Sequence, residues 1–323
     1  MDEGIRPTDT SLEMAEKHKK QSLLAELFTR LTKEKPLGTI GFTVVLILFF
    51  TGVFADILSP YGMNEIHLAD RLSPPSAQYA LGTDNLGRDL LSRIIHGARI
   101  SMYVGLGAST MAVVCAVFVG LLSGYFGGKI DLVTQRFIDA FMSFPPLFIY
   151  LTVMALLGPG LIQVILVLGV AYGLRHSRVM RGAVIAIKEN AYIEATRAIG
   201  CSTARTISKH VLPNVMAPLI ILFTVRLGMA IQSEATLSFL GFGIPPPAPS
   251  WGGMLSRGGR QYMYQAPWMA LWPGLSLAIV VYGINMLGDA IRDILDPRLR
   301  GGLGRYGGVK AKRFKKLTHI ETQ

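Results

Sequence analysis

Arg226, Gln232 and Glu234 interrupt a predominantly apolar stretch, residues 217–237. Ionisable groups deep in a membrane are costly, so they face a protein interior or a wet cavity and commonly serve transport. Arg226 and Glu234 are eight residues apart, about 12 Å along a helix, which is too far for direct pairing. We therefore predict that both line a translocation pathway or the interface with a partner subunit. A structural role, held by backbone carbonyls and the partner chain, is the alternative.

A carboxylate pair could also serve proton coupling. Asp139 lies near the start of another apolar stretch, and together with Glu234 it could form the proton relay of a secondary transporter or channel. No inverted repeat is apparent in the sequence. This absence counts against a proton-coupled secondary transporter, which we keep as the rival to the function developed below.

Motifs of enzyme chemistry are weak or missing. The sequence holds no H-E-x-x-H, G-x-S-x-G or phosphate-binding G-x-x-x-x-G-K-[ST] motif. Ser123 lies in a GLLSG stretch that faintly resembles an intramembrane serine protease, but every histidine lies outside the apolar centres. Cys115 and Cys201 fall in different environments, and the histidines lack metal-ligand spacing. We expect no enzyme activity, metal or cofactor in this chain.

A polar island at residues 192–214 separates two apolar runs. Gly200 suits a helix C-cap with positive φ, and Ser202 or Thr203 can cap a second helix. That second helix is predicted to end at Leu212, because Pro213 lacks a backbone N–H. The island therefore predicts two short helices with a sharp joint, and a solvated helix between membrane spans is the plain alternative.

Three further stretches combine turn residues with charges or prolines. They are LGTDNLGRDLLSR at 81–93, SFLGFGIPPPAPSWG at 238–252 and GDAIRDILDPRLR at 288–300. The first predicts a turn followed by an amphipathic helix. The prolines of the second favour a stiff polyproline II segment packed at a membrane face.

These stretches carry a resemblance to a known family. The Glu-Ala pair, the glycine and the Leu-Pro pair of the polar island resemble the EAA motif of ABC-importer permeases, with Thr196 and His210 departing from its consensus. The other three stretches resemble the C-type permease subunit of the dipeptide/oligopeptide/nickel importers, DppC/OppC type. The resemblance spans roughly residues 37–300.

The resemblance implies an all-α membrane protein with six transmembrane helices, the type I ABC importer permease fold. It implies a homologous B-type permease, two cytoplasmic ATP-binding subunits that carry ATP and Mg, and an extracytoplasmic solute-binding protein as partners. Peptides are the expected cargo, with nickel chelates, glutathione and oligosaccharides as alternatives. The implied ATPase-coupling residues are Tyr192, Glu194, Ala195, Arg197, Ala198, Gly200, Leu212 and Pro213. The extracytoplasmic family motif comprises Gly82, Thr83, Asp84, Gly87, Arg88 and Asp89.

Composition agrees with a polytopic membrane protein. Half of the residues are hydrophobic and 16% are charged, and mean hydropathy is +0.41. The net charge of +11 comes from Lys and Arg in loops and tails, so it indicates membrane orientation and lipid contact and not nucleic-acid binding. The apolar runs predict spans at 37–58, 100–125, 137–157, 161–174, 217–237 and 270–286.

The charge asymmetry also predicts topology. The tails and the loop at 175–213 hold most of the Lys and Arg, whereas segments 59–99 and 238–269 hold few. The positive-inside rule places the former in the cytoplasm with both termini, in the inner membrane of the cell. Residues 1–36 are predicted to contain a basic amphipathic helix on the cytoplasmic leaflet, 37–295 the permease domain, and 296–323 a basic tail attracted to anionic lipid.

Overall fold

The computed structural model describes residues 31–295, and its regular structure is helical. Thr83 and Asp89 form an isolated bridge, and no strand occurs in this part of the chain. The helix predicted within residues 1–36 lies largely outside the described residues. The basic tail at 296–323 lies wholly outside them. The α-helices are α1 (Pro36–Val53), α2 (Ala55–Leu58), α3 (Leu90–Leu121), α4 (Gly128–Met142), α5 (Pro146–Leu157), α6 (Leu161–Lys188), α7 (Ala191–Ala198), α8 (Thr203–Thr206), α9 (Met216–Phe239), α10 (Trp251–Met254) and α11 (Trp268–Leu295).

Short turns of other helix types connect or extend these elements. Five-residue π-helical turns follow three of the helices, at Leu122–Phe126, Ile207–Val211 and Leu255–Gly259. Turns of 3-10 helix lie at Leu68–Asp70 and Leu212–Val215.

Four helices in the described part of the chain are long and apolar enough to cross a membrane. The number rises to five if the bent pair α4–α5 is counted as one span. The four are α1, α3 with its π turn, α9 and α11. The predicted fourth span is the first half of α6, where the apolar run from Leu161 soon meets Arg175 and Arg178. Because the apolar part of α6 is shorter than the roughly 20 residues that a bilayer demands, the count of six spans is not reached on length and composition alone.

The connections define two ends of the helical bundle. Residues 59–89 and 240–267 meet at one end, where Arg71 hydrogen-bonds to Tyr262 and the Trp268 indole donates to the Thr83 carbonyl at 3.1 Å. We call this the long-loop end. Residues 189–215 lie at the other end, which we call the short-helix end.

Helix α3 begins ten residues before the predicted span at 100–125. The Asp89 carboxylate caps it by accepting from the Ser92 N–H and hydroxyl, both at 2.7 Å. The amphipathic helix predicted after the LGTD turn and the second span are therefore one continuous helix of 32 residues.

The third predicted span is broken, as its two prolines indicated. Helices α4 and α5 meet at 92°, with Pro145 as the cap of α5 and Pro146 in its first turn. Helix α4 starts at Gly128, nine residues before the predicted boundary at Phe137. The predicted span at 137–157 therefore covers the end of α4 and all of α5.

Helices α3 and α6 pack along each other. A Cβ on Gly120 would overlap Met180 of α6, and a Cβ on Gly173 would overlap Cys115 of α3. Since lipid is as apolar as the helices, close packing at such small residues stabilises the pair more than apolar burial does. The close approach of backbones predicted from the glycines of α3 is confirmed.

The chain does not stop being helical at Pro213, and that prediction is wrong. A π turn and a 3-10 turn lead from α8 directly into α9, and Pro213 occupies the second position of the 3-10 turn. A missing N–H costs nothing at the start of a helical turn, where that donor has no partner inside the turn.

Candidate functional site

Helix α7 at the short-helix end is fixed to the bundle by one side. Ile193 is fully buried and Thr196 nearly so, three residues apart and hence on one helix face. Ile193 packs in a core with Tyr125, Met180 and Val211. The remaining residues of α7 are exposed. The helix therefore presents a rigidly held surface away from the bundle.

The exposed surface of this helix is apolar or small at its end. Ile199 directly after the helix is 82% exposed and Tyr192 is 43% exposed, while Ala195 and Ala198 keep the surface between them low. Glu194 is exposed as well. The uncovered surface of α7 thus combines two exposed apolar side chains with small residues and the charged Glu194 and Arg197.

Gly200 ends α7 as predicted. Its φ is +77°, its N–H donates to the Arg197 carbonyl at 2.9 Å, and the Cys201 N–H donates to the Thr196 carbonyl at 3.0 Å. This pair of bonds is a Schellman motif, which favours glycine at this position. Ser202 then caps α8 by accepting from the Arg205 N–H at 3.4 Å.

Arg197 has a contact within this chain that the sequence did not indicate. Its guanidinium lies 5.7 Å from the centroid of the Tyr125 ring, and Lys188 Nζ lies 5.7 Å from the same centroid. Lys188 Nζ also donates to the Tyr125 carbonyl at 2.7 Å. Tyr125 therefore ties α7 to α6 and to the turn after α3. We call these three residues the Tyr125 clamp.

The other predicted coupling residues, Leu212 and Pro213, differ from each other. Leu212 is partly buried against the core that holds Ile193, whereas Pro213 is exposed. The structure thus brings Leu212 and α7 onto one core. Contact of any of these residues with an ATPase stays a prediction.

A polar network beside the Tyr125 clamp escaped the sequence analysis. Arg181 Nε donates to Asp131 Oδ1 at 2.6 Å, and Asp131 also accepts from Ser123, whose hydroxyl accepts from Gln135 at 3.0 Å. This network joins α4 to α6. Arg175, Arg178 and Arg181, at every third position of α6, were the available signal in the sequence. The sequence does not show that Asp131 is the partner of Arg181, because the two residues are 50 positions apart.

Arg226 is half-buried between α9 and α6. Its guanidinium lies 5.2 Å from the Tyr172 ring centroid and donates to His176 Nε2. His176 Nδ1 lies 2.8 Å from the Tyr172 carbonyl, so that nitrogen carries the proton and the imidazole is neutral. Arg226 makes no ion pair with residues 31–295, and its Nε is buried without a partner there. Among the described residues it is therefore a half-buried cation without a counter-ion.

Glu234 has quite different surroundings. It is 1% exposed, and its Oε1 accepts from the Ser238 hydroxyl at 2.6 Å. The same hydroxyl accepts from the Ile244 N–H at 3.1 Å, which ties the end of α9 to the proline-rich segment. Glu234 does not reach the surface of this chain. Its predicted place at a pathway or subunit interface stays a prediction, whereas its structural contacts are evident.

Asp139 is paired and does not meet Glu234. It pairs with Arg178 and lies 3.8 Å from Arg136. A proton relay through both carboxylates has no geometric support in this arrangement.

The family motif at the long-loop end is organised by Asp84. Asp84 Oδ1 accepts from the N–H groups of Leu86 and Arg88 at 2.8 and 3.0 Å. Asp84 Oδ2 lies 2.7 Å from Arg88 Nε and 3.6 Å from Arg93 Nε. Gly82 and Gly87 both have positive φ, and a Cβ on Gly87 would overlap the His67 carbonyl. These contacts fold residues 82–89 into a compact turn.

Three more hydrogen bonds, which involve Thr83 or Asp70, hold this turn against the preceding loop. The Thr83 hydroxyl donates to the Asp70 carbonyl at 2.5 Å and accepts from the Ser73 N–H at 2.9 Å. The Tyr79 hydroxyl donates to Asp70 Oδ2 at 2.9 Å. Burial and, less strongly, this acceptor carboxylate raise the pKa of Tyr79 to about 12. All six motif residues thus lie together, and Asp89 in addition caps α3.

Comparison with known proteins gives consistent results. Residues 116–301 match the family described as binding-protein-dependent transport system inner membrane component. A dipeptide transport system permease protein, DppC, of Alkalihalophilus pseudofirmus is 38% identical over 85% of this chain and 90% of its own length. An oligopeptide transport system permease protein, OppC, of Bacillus subtilis is 34% identical over 87% and 92%. A glutathione transport system permease protein, GsiD, of Pectobacterium atrosepticum is 36% identical over 79% and 85%.

A solved structure shares the fold. A chain of the inward-facing MetNI methionine ABC transporter superposes with a TM-score of 0.52 and 21% identity, covering 64% of this chain and 98% of that chain. The all-α permease architecture expected from the sequence is confirmed.

Proposed function

The chain belongs to the family of binding-protein-dependent transport system inner membrane components, and from this premise we propose that it is a permease subunit of an ATP-driven importer of di- or oligopeptides. It forms half of the translocation pathway, and a homologous B-type permease forms the other half. The resemblance of its motifs to the DppC/OppC type and the names of its relatives support this assignment.

The surface of α7 is the observation that carries the coupling part of the proposal. Its buried residues hold it to the core, its outer surface ends in the exposed Ile199, and the Tyr125 clamp ties it to α6 and α3. A surface that is anchored on one side and uncovered on the other suits the transfer of force from an ATPase to the spans. In this proposal α7 docks on a cytoplasmic ATP-binding subunit.

The orientation follows from the basic residues. The positive-inside rule places the short-helix end and both termini in the cytoplasm and the long-loop end outside the cell membrane. Residues 1–36 and 296–323 hold fifteen Lys and Arg, and the polar loop at the short-helix end and its flanks hold Arg175, Arg178, Arg181, Lys188, Arg197, Arg205 and Lys209. The longer segments at the opposite end hold Arg71, Arg88, Arg93, Arg99, Arg257 and Arg260.

ATP hydrolysis belongs to other subunits in this proposal. The sequence lacks the phosphate-binding G-x-x-x-x-G-K-[ST] motif, so two partner ATPases bind ATP and Mg, and this chain needs no cofactor. An extracytoplasmic solute-binding protein delivers the cargo to the long-loop end. Nickel chelates, glutathione and oligosaccharides are the alternative cargoes. The relative that is named a glutathione permease supports glutathione as one of these alternatives.

Gly200→Val tests the coupling role. A residue with a Cβ at φ +77° costs about 1–2 kcal/mol, which can reshape the joint after α7 but cannot unfold the bundle. We expect the variant to insert and assemble, and to lose stimulation of ATP hydrolysis by the loaded binding protein in the reconstituted complex. Gly182→Val is the matched control, since Gly182 also has open space around a Cβ but no positive φ.

Full stimulation in Gly200→Val would remove the coupling role of this loop. A loss of stimulation in Gly182→Val as well would show that the assay reports added bulk at the short-helix end and not the joint.

A further inference from the structure

A small cavity at the long-loop end is lined by the family motif and by the segment around α10. Its volume is about 70 Å³, and it lies where residues 84–93, 244–258 and Met269 of α11 meet. One water molecule needs roughly 10–15 Å³ of free space in a cavity, so this cavity admits a small polar group.

The charge around this cavity is unbalanced. Arg88, Arg93 and Arg257 line it, and Asp84 is its one acidic lining residue. The Asp84 carboxylate is committed, because both of its oxygens accept hydrogen bonds from the motif turn. The lining therefore carries an excess of two positive formal charges.

The three arginines differ in how many donors they have left. Arg93 is 6% exposed and donates to the Met63 carbonyl at 3.1 Å besides facing Asp84. Arg88 uses only its Nε on Asp84, so both of its terminal nitrogens have no partner within residues 31–295. Arg257 is exposed, and its side chain makes no hydrogen bond or ion pair with this part of the chain. Two guanidinium groups at one cavity thus have free donors.

We propose that this cavity binds a carboxylate group during transport, held by the terminal nitrogens of Arg88 and by Arg257. The planar fork of a guanidinium matches a carboxylate in two parallel hydrogen bonds. Arg93 and Asp84 act as positioning residues, because their mutual contact and the backbone bonds of Asp84 fix Arg88. The apolar wall of Ile244 and Met254 excludes water from one side, which strengthens the charge interaction.

The carboxylate has two possible sources, and both rest on the proposed function. It is the C-terminus of the transported peptide, or it is an acidic side chain of the solute-binding protein that docks at this end. The recognised chemistry is the same in both cases, so the experiments first test the site and then separate the sources.

Chemical protection tests the site directly. The purified chain with its partner subunits in nanodiscs is treated with phenylglyoxal, and the modification of each arginine is followed by mass spectrometry. N-acetylglycine should slow modification of Arg257 at least about threefold, and N-acetylglycinamide, which lacks the charge, should not. Arg260, also exposed and outside the cavity lining, is the internal control. Equal protection of Arg257 by the acid and the amide overturns the proposal.

Kinetics of Arg257→Gln separate the sources, with Arg260→Gln as the matched control. If the carboxylate is a side chain of the binding protein, Arg257→Gln should raise the concentration of that protein needed for half-maximal ATP hydrolysis about tenfold. This is the effect of losing one charge-assisted hydrogen bond. If the carboxylate is the C-terminus of the peptide, Arg257→Gln should leave that half-maximal concentration unchanged and should lower the maximal uptake rate about tenfold. Identical behaviour of the two variants in both quantities overturns the proposal.

The two proposals fail separately. A wild-type complex without stimulated ATP hydrolysis would count against the proposed function, and the protection experiment would still decide whether the cavity binds a carboxylate.

Discussion

Arg226 is a half-buried cation with few partners among the described residues. A neutral imidazole accepts from it and an aromatic ring stacks on it, but no carboxylate among residues 31–295 neutralises it. A cation over an aromatic ring gains about 0.5–2 kcal/mol, less than the cost of leaving it at the centre of a bilayer. The remaining stabilisation has to come from water, from a partner subunit such as the proposed B-type permease, or from a passing anionic group.

Arg226→Met tests whether this charge serves transport. Methionine keeps the apolar contact with Tyr172 and removes the charge, so we expect uptake to fall at least about tenfold while the amount of assembled complex in the membrane stays the same. Gln232→Met removes a polar group from an exposed position of the same helix and should change neither quantity. Failure of Arg226→Met to assemble would support the structural role, because an unmatched buried group prevents packing.

At the scale of elements, the short helix α7 depends on one aromatic side chain. Tyr125 is 7% exposed, follows α3 in the π turn, and faces Lys188 of α6 and Arg197 of α7. A helix of eight residues is not stable alone, so its position rests on such tertiary contacts.

Tyr125→Leu should therefore loosen α7 without unfolding the bundle. We expect faster hydrogen exchange of the backbone amides of Ala191–Ala198 and unchanged exchange in the middle of α3. Phe126→Leu is the matched control, because Phe126 is 49% exposed and its ring meets only the edge of Tyr125, with centroids 5.6 Å apart, and it forms no cation contact within residues 31–295. Equal exchange of α7 in both variants would mean that Ile193 and Thr196 alone hold it.

The elements also show what a sequence can and cannot reveal. Gly200 and Ser202 were identified as caps because capping depends on local backbone geometry. The contact of Arg197 with Tyr125 joins residues 72 positions apart and has no local signal. The passage through Pro213 was missed because the same residue can end one helix or open the next, and the preceding π turn decides which.

At the scale of the whole molecule, the charge distribution predicts the orientation that the proposal needs. Single cysteines at Ser76 and Ser256, in a chain without Cys115 and Cys201, should react with an impermeant thiol reagent added outside intact cells. A cysteine at Thr203 should react only after the membrane is opened. Ser76 and Thr203 are both exposed in the structure, so a difference between them reports sidedness and not burial. Labelling of the Thr203 position from outside would reverse the orientation.

The architecture was largely predictable at this scale, because a bilayer imposes the length and composition of its spans. The angle of the break at Pro145 and Pro146 was not, since proline permits a range of bends and packing selects one. The carboxylate cavity was beyond prediction as well. It combines residues 84–93 with residues 244–258 and Met269, which lie more than 150 positions further along the chain.

Helix α3 joins these features mechanically. The Asp84 turn precedes its first residue and the Tyr125 turn follows its last, so a single rod of 32 residues, about 48 Å long, connects the two ends of the bundle. A rod pivoting about one end by about 5° displaces its other end by about 4 Å at this length. If α7 docks on an ATPase as proposed, a small tilt of α3 that starts at that end would shift Arg88 and Arg93 relative to Arg257 by more than a hydrogen-bond length, without any hinge inside the membrane.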